Sequence, residues 1–200
     1  MIKGIIFDLD GTLVDSRLDF ELIRKDLGFS PGRPILEDIA TLSCPTEKQK
    51  CLDIVHQHEL ASVAKSTLME GVKELFVLLE NLQIKNAIMT RNSREVTKAL
   101  LGKFNLPIEL IIAREDAPPK PNPFGATLIQ KSWNIKAEDI LFVGNYLFDI
   151  QTGNKAKMHS MLYAPKDIPE YSHQAKFIIT HFNQLAKQLI KDTNPNKWTF

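Results

Sequence analysis

FDLDGTLVDS, residues 7–16, continues from the apolar residues Ile5 and Ile6, and together they are typical of a buried strand that ends in acidic residues. The two aspartates, Asp8 and Asp10, are two positions apart, so on an extended strand they point to the same side. Side-by-side carboxylates repel each other. We therefore expect positive charge, from elsewhere in the chain or from a metal ion, to lie against this pair.

Working outward from this stretch, short apolar runs recur along the chain without clean polar alternation, which predicts strands covered on both faces. They are residues 5–7, 87–89, 110–113, 140–143, 161–164 and 177–180. Segments with helical apolar spacing lie between them, at 71–81, 93–104 and 123–134. The strand–helix–strand repeat predicts an α/β fold with a doubly wound, Rossmann-like parallel sheet.

Residues 16–69 interrupt this pattern. They contain no convincing strand, and Pro31, Pro34 and Pro45 separate three helix-like pieces. We predict a small all-helical insertion directly after the first strand, with residues 1–15 and 70–200 forming the core. The last residues, DTNPNKWTF (192–200), are mostly polar and are expected to dock weakly or not at all.

Composition excludes several classes of protein. The 200 residues are 44% hydrophobic and 24% charged, and a formal net charge of +1 argues against a nucleic-acid-binding surface. No apolar run approaches the roughly 18 residues of a membrane-spanning helix, and two aspartates break the first apolar stretch, so it is no signal peptide. Cys44 and Cys51 have no neighbour that favours a disulfide, which predicts free thiols and a cytoplasmic protein. The sequence does not predict an oligomeric state.

Ligands of doubly wound sheets bind beyond the carboxyl ends of the strands. The polar residues that follow the first four predicted strands are Asp8, Asp10, Thr90, Lys120, Asn145 and Asp149. This set could bind a doubly charged phosphate monoester. The carboxylates would hold Mg²⁺, and the lysine charge and the threonine hydroxyl would contact the phosphoryl oxygens. Asn92, with Glu95 three residues later, predicts a helix N-cap that points the positive end of a helix toward this site.

These motifs resemble the haloacid dehalogenase (HAD) superfamily in its phosphatase branch. DLDGT (8–12), Thr90, Lys120 and GNYLFD (144–149) match the four family motifs in order, and the similarity spans residues 1–163 apart from the insertion. REDAPPKPNP (114–123) and GVKELFVLLE (71–80) resemble the phosphoglycolate-phosphatase-like subgroup. The resemblance implies Mg²⁺-dependent hydrolysis of small phosphorylated metabolites, with phosphoglycolate-like compounds among the expected substrates.

The resemblance also implies the roles of the individual residues. Asp8 is the nucleophile that forms an aspartyl-phosphate, and Asp10 is the general acid for the leaving alcohol and then the base for water. Thr90 and Lys120 complete the catalytic set. Substrate is expected to bind to Thr90, Arg91 and Lys120.

The metal ligands implied by the resemblance are Asp8, Asp10, Asn145 and Asp149. Asn145 departs from the family pattern, which has an aspartate there; its amide oxygen can coordinate Mg²⁺ but brings no charge. We predict a functional phosphatase with reduced metal affinity, assisted by Asp149 and by Asp116 through waters. The alternatives are a weakened protein that only binds a phosphorylated ligand, or a phosphosugar mutase. Drift toward dehalogenases is disfavoured, because these need neither Mg²⁺ nor the second acid.

The family uses an insertion at this position as a mobile cap, which implies that residues 16–69 form a lid. Its hinges are expected at 15–17 and 66–71. Arg17, Arg24 and Arg33 are candidates for binding a second anionic group of the substrate, although exposed charges on helices are usually only solvated.

Overall fold

The computed structural model describes residues 1–191 and 193–199. The chain divides into two compact units. Met1–Asp15 and the described residues from Thr67 onward form the larger unit, and Ser16–Ser66 form the smaller one.

The larger unit is built on a six-stranded parallel sheet of order β5-β4-β1-β6-β7-β8. Its strands are β1 (Gly4–Phe7), β4 (Lys85–Met89), β5 (Leu110–Ile112), β6 (Ile140–Gly144), β7 (His159–Tyr163) and β8 (Phe177–Ile179). Two short strands, β2 (Val14–Asp15) and β3 (Thr67–Leu68), form a separate two-stranded sheet. β1 is central: Phe7 pairs in register with Ile88 of β4 and with Val143 of β6. The predicted doubly wound α/β fold is confirmed.

Helices cover both faces of this sheet. In chain order the α-helices are α1 (Phe20–Leu27), α2 (Ile35–Thr41), α3 (Pro45–Lys65), α4 (Val72–Asn81), α5 (Arg94–Phe104), α6 (Phe124–Trp133), α7 (Leu147–Lys155) and α8 (Phe182–Lys191). Short 3-10 helices occupy Ala137–Asp139, Glu170–Gln174 and Pro195–Lys197. Phe7 packs its ring 5.6 Å from Phe76 of α4, whereas Ile6 belongs to the opposite cluster with Trp133 of α6. This two-sided burial explains why the strands read as continuous apolar runs.

The smaller unit is helical, and α1, α2 and α3 match the three expected pieces. Its core is a cluster of Ile23, Ile35, Ile39 and Val55. The expectation that residues 16–69 contain no strand is wrong at one end, because β3 pairs antiparallel with β2. Two residues are too few to show a strand period in the sequence.

The C-terminal segment packs against the larger unit, so the prediction of weak docking is wrong for its described residues. The Ile2 amide donates to the Thr193 carbonyl at 2.7 Å. Trp198 is only 8% exposed, with its ring 5.3 Å from that of Phe177. One buried tryptophan outweighs a polar local composition. Asp192 and Phe200, which the same prediction covered, lie outside the described residues.

Within residues 1–191 and 193–199, no helix combines the length and the apolar character needed to cross a bilayer.

Candidate active site

The site begins with Asp8, the first residue after the central strand. Its backbone amide donates to the Val143 carbonyl at 2.9 Å, which continues the β1–β6 ladder by one residue. Because β1 lies between β4 and β6, the residues that follow those two strands flank Asp8. Thr90 comes directly after β4, and Asn145 comes directly after β6.

Lys120 links two carboxylates that are far apart in sequence. Its Nζ donates to Asp8 Oδ1 at 2.5 Å and to Asp149 Oδ1 at 2.6 Å. All three side chains are buried, with at most 9% of each exposed. Burial alone would lower the pKa of Lys120, but Asp149 and Asp8 outweigh it and raise that pKa above its ordinary value. The lysine therefore stays protonated and holds the two carboxylates together.

Asp149 is held by its own helix as well as by Lys120. Its Oδ2 accepts a hydrogen bond from the Tyr146 amide at 2.9 Å, in a capping box at the start of α7. Gly144 is required beneath it, because a Cβ there would overlap the Asp149 carboxyl group. Burial raises the pKa of Asp149 to about 6; Lys120 opposes this increase and the charge of Asp8 adds to it.

Both carboxylate oxygens of Asp149 thus accept hydrogen bonds from protein groups. This arrangement favours a role in positioning Lys120 over direct coordination of a metal. The predicted metal-ligating role of Asp149 stays a prediction.

The Thr12 hydroxyl lies near the second carboxylate oxygen of Asp8 and the side-chain oxygen of Asn145. It lies 3.2 Å from Asp8 Oδ2 and 3.1 Å from Asn145 Oδ1, and its single proton can satisfy only one of them at a time. Gly11 makes this approach possible: its φ is +76°, and a Cβ there would contact the Asn145 amide. Thr12 is part of the DLDGT motif, but the sequence alone gives it no role in the site.

The oxygens around Thr12 have the chemistry that Mg²⁺ prefers. Asp8 supplies a carboxylate, Asn145 an amide oxygen, and the half-buried Asp10 follows Asp8 by two residues. In the part of the chain that the structure describes, no group of three or more His, Cys, Asp or Glu side chains is arranged to hold a metal. A Mg²⁺ ion bound at Asp8 would therefore use the neutral Asn145 amide oxygen in place of a carboxylate, and such a set of ligands binds Mg²⁺ more weakly.

The end of β4 carries further donors. Thr90 is buried, and its hydroxyl accepts a hydrogen bond from the Asn92 backbone amide at 3.1 Å. Asn92 is 7% exposed, and its side-chain Nδ2 has no hydrogen-bond partner among the described residues. The prediction that Asn92 caps the next helix is wrong. Ser93 is the N-cap of α5 and accepts from the Val96 amide at 3.2 Å, which leaves the Asn92 amide uncommitted.

Two other predicted contributors contact neighbouring side chains, and the predicted binding of substrate by Arg91 stays a prediction. Arg91, predicted to bind substrate, places its guanidinium 5.3 Å from the ring centroid of Phe148. Asp116, expected to reach the metal through waters, instead pairs with Arg94 and accepts from the Ala113 amide at 2.6 Å. Burial opposes this charge, but Arg94 and the Ala113 amide outweigh it and lower the pKa of Asp116.

Within the smaller unit, Arg24 and Arg33 share one acidic partner. Arg24 Nη1 lies 3.5 Å from Asp38, and Arg33 Nε lies 3.4 Å from the same carboxylate. Arg24 also donates to the backbone carbonyls of Ser30 and Arg33. Both arginines therefore have hydrogen-bonding or charged partners within the smaller unit. The suggested role of Arg17, Arg24 and Arg33 toward a second anionic group stays a prediction.

The sequence matches a family model described as haloacid dehalogenase-like hydrolase over residues 5–163. The chain belongs to this family. It is 29% identical over 214 residues to a haloacid dehalogenase-like hydrolase domain-containing protein of Arabidopsis thaliana, covering 97% of this chain and 87% of that protein. It is 27% identical over 180 residues to a phosphoglycolate phosphatase of Pseudomonas savastanoi pv. phaseolicola, covering 77% of this chain and 66% of the relative.

Among solved structures, a hydrolase from Pseudomonas syringae superposes with a TM-score of 0.81 at 18% identity, covering 95% of this chain and 99% of that one. This likeness shows the shared HAD fold. The prediction of a HAD-family hydrolase is confirmed, and the similarity to phosphoglycolate phosphatases supports its predicted class, phosphoric monoester hydrolase.

Proposed function

We propose that this member of the HAD family is a Mg²⁺-dependent phosphatase that hydrolyses small-molecule phosphate monoesters through an aspartyl-phosphate on Asp8. The observation that supports it best is the buried contact of Lys120 with Asp8 and Asp149. It leaves the other Asp8 oxygen beside Thr12 and Asn145. One nucleophilic carboxylate is thereby oriented next to a fixed positive charge and a set of oxygen ligands.

The residues of this chain divide the work of binding. The Lys120 ammonium, the Thr90 hydroxyl and the buried Nδ2 of Asn92 are donors for the phosphoryl oxygens. An anion bound there would satisfy the Asn92 donor, which is unpaired in the described residues. When bound at Asp8 and Asn145, Mg²⁺ would supply further neutralisation of the phosphoryl charge, while the Asp10 carboxyl group carries the proton for the leaving oxygen.

The chemical steps use the two aspartates of the opening motif. Asp8 attacks phosphorus, its oxygen forms the new P–O bond, and the bond to the leaving group breaks while Asp10 donates a proton to the leaving oxygen. Asp10, now ionised, removes a proton from water, and the water oxygen attacks phosphorus. Inorganic phosphate leaves and Asp8 is regenerated as a carboxylate.

The test is p-nitrophenyl phosphate hydrolysis across a Mg²⁺ titration. Wild type should turn over, and Asp8→Asn should abolish activity, whereas Asp167→Asn, at an exposed aspartate, should have no effect. Asn145→Asp should lower the half-saturating Mg²⁺ concentration about tenfold, because it adds a charge to the ligand set. An inactive wild type at high Mg²⁺, with turnover only in Asn145→Asp, would contradict the proposal.

A second candidate rests on Asn145, whose neutral amide weakens the metal site. A protein that binds phosphate or a phosphorylated ligand without turning it over would use the same donors. It would show an increased Tm with inorganic phosphate and no product release at any Mg²⁺ concentration. Turnover by wild type rules this candidate out.

A further inference from the structure

A contact bridges the end of the central strand. Arg91 is the second residue after β4, and Phe148 lies in the first turn of α7, after β6. The strand order places β1 between β4 and β6. The 5.3 Å contact between the Arg91 guanidinium and the Phe148 ring therefore spans the end of β1, which carries Asp8. The surface built by these side chains borders the phosphoryl site.

Two more rings extend this surface, and we call Tyr146, Phe148 and Tyr171 the aromatic wall. The Tyr146 ring stands nearly perpendicular to that of Phe148 with centroids 5.2 Å apart, and edge-on to that of Tyr171 at 6.1 Å. Edge-to-face contacts of this kind are favourable and fix the ring orientation. The Tyr146 side chain is nevertheless 46% exposed, so its orientation is set while much of its surface stays open.

Hydrogen bonds connect the aromatic wall to residues of the candidate site. The Tyr171 hydroxyl donates to the Asn145 carbonyl at 3.1 Å, and the side chain of that same Asn145 approaches Thr12 beside Asp8. The Tyr146 amide holds Asp149, which in turn holds Lys120. The position of the rings relative to the nucleophile is thus fixed by hydrogen bonds on two sides.

Exposed apolar residues are ordinary on protein surfaces and by themselves indicate no site. Val77 on α4 and Ile190 on α8 are more exposed than Tyr146 and belong to neither the site nor a ring cluster. The aromatic wall differs from them because its three rings and one guanidinium meet at the end of the sheet that carries Asp8.

We propose that the aromatic wall and Arg91 form the leaving-group subsite, and that the enzyme prefers phosphate monoesters whose leaving group carries a planar ring. This inference rests on the proposed function for the position of the phosphoryl group. A planar ring stacks on Tyr146 and gains aromatic contact that an aliphatic group of similar size does not. Arg91 adds an attractive cation for an electron-rich ring or an anionic substituent.

The experiment measures binding apart from turnover. Isothermal titration with Mg²⁺ present compares phenylphosphonate with cyclohexylphosphonate, an aliphatic compound of similar size; the C–P bonds of both are not hydrolysed. The wild type should bind phenylphosphonate about tenfold more tightly. Tyr146→Ala should reduce this ratio to near one, Tyr146→Phe should restore it, and Val77→Ala should leave it at the wild-type value.

Equal affinities in the wild type, an unchanged ratio in Tyr146→Ala, or binding of neither compound would overturn the inference. Hydrolysis of p-nitrophenyl phosphate and of glycerol phosphate in parallel separates this result from the proposed function. Turnover without ring preference removes the subsite and keeps the phosphatase. Ring-selective binding without turnover supports the subsite and removes the phosphatase.

Discussion

Two three-residue ion clusters of opposite sign show how burial changes the role of a charge. In the larger unit, Lys120 lies between Asp8 and Asp149 at 2.5 and 2.6 Å, with the three side chains almost fully buried. In the smaller unit, Asp38 lies between Arg24 and Arg33 at 3.5 and 3.4 Å; the Arg33 side chain is 63% exposed, and those of Arg24 and Asp38 are 11% and 19% exposed. The number of charges is the same, but the distances and the contact with water differ.

The difference teaches that burial and distance, rather than the number of charges, decide how strongly an ion cluster interacts. Exposed pairs are screened by water and contribute about 0–1 kcal/mol each. Buried charges interact strongly but are costly to desolvate, so an ion cluster of this kind is weak evidence for stability alone. The Lys120 cluster is therefore best explained by catalysis, and the Asp38 cluster by local order within the helical unit.

The largest expected effect comes from removing the buried cation. Lys120→Met keeps the length of the side chain but removes the cation between two buried carboxylates, so we expect the free energy of unfolding to fall by about 3–5 kcal/mol and activity to be lost. Urea denaturation measures the change. Lys136→Met, at a lysine whose side chain is 79% exposed, is the control and should be neutral. A loss below about 1 kcal/mol in Lys120→Met would contradict the contrast between the clusters.

Asp149→Asn should reduce kcat about 10–100-fold, because Lys120 loses one of the two negative charges that hold it in place. It should also change the pH dependence of stability. The folded pKa of Asp149, about 6, lies above its ordinary value, so its proton stabilises the folded state fully below about pH 4. That contribution is lost as the pH rises through about 6.

Thermal unfolding in EDTA-containing buffer measures this effect. Between about pH 4 and 6, wild type should lose more stability than Asp149→Asn does. Parallel curves for the two proteins would show that Asp149 does not titrate in this range.

Asn92→Ala separates binding from stability. The wild-type Nδ2 donor is buried and unpaired among the described residues, so its removal should leave the free energy of unfolding unchanged or raise it by up to about 1 kcal/mol. The Kd for inorganic phosphate should increase about fivefold to tenfold.

Ser93→Ala is the neighbouring control, because it removes the cap of α5 and should cost about 1 kcal/mol of stability. If Asn92→Ala destabilises as much as Ser93→Ala, or binds phosphate as wild type does, the assigned role of Asn92 is wrong.

The smallest effect is expected at Arg33, the exposed member of the Asp38 cluster. Arg33→Met should change the free energy of unfolding by less than about 1 kcal/mol, and this change should shrink further at high salt. Urea denaturation at two salt concentrations checks it. A loss comparable with that of Lys120→Met would remove the distinction between the two clusters.

The sequence predicts the fold well because continuous apolar runs report burial on both sheet faces, and each predicted run overlaps a strand. It also predicts the meeting of Asp8 with Lys120, 112 residues away, because both follow strands whose carboxyl ends share one edge. Contacts that depend on local geometry were missed. Examples are the one-residue shift of the α5 cap from Asn92 to Ser93 and the two-residue pairing of β2 with β3.

The hydrogen bonds of Thr12 and Asp149 could not be predicted for a related reason. Which oxygen of Asp149 accepts from Lys120, and which from Tyr146, depends on side-chain torsions that no periodicity reports. The docking of Trp198 against Phe177 is likewise a tertiary contact with no local signal.

The most direct test traps the covalent intermediate. Wild type mixed with p-nitrophenyl phosphate and Mg²⁺ is quenched with borohydride, which reduces an acyl phosphate to an alcohol, and the modified residue is located by peptide mass spectrometry. We predict homoserine at position 8 in the wild type, and none in Asp8→Asn or without substrate. Turnover with the reduced residue at another position, or with no reduced residue, would contradict the assignment of Asp8 as the nucleophile.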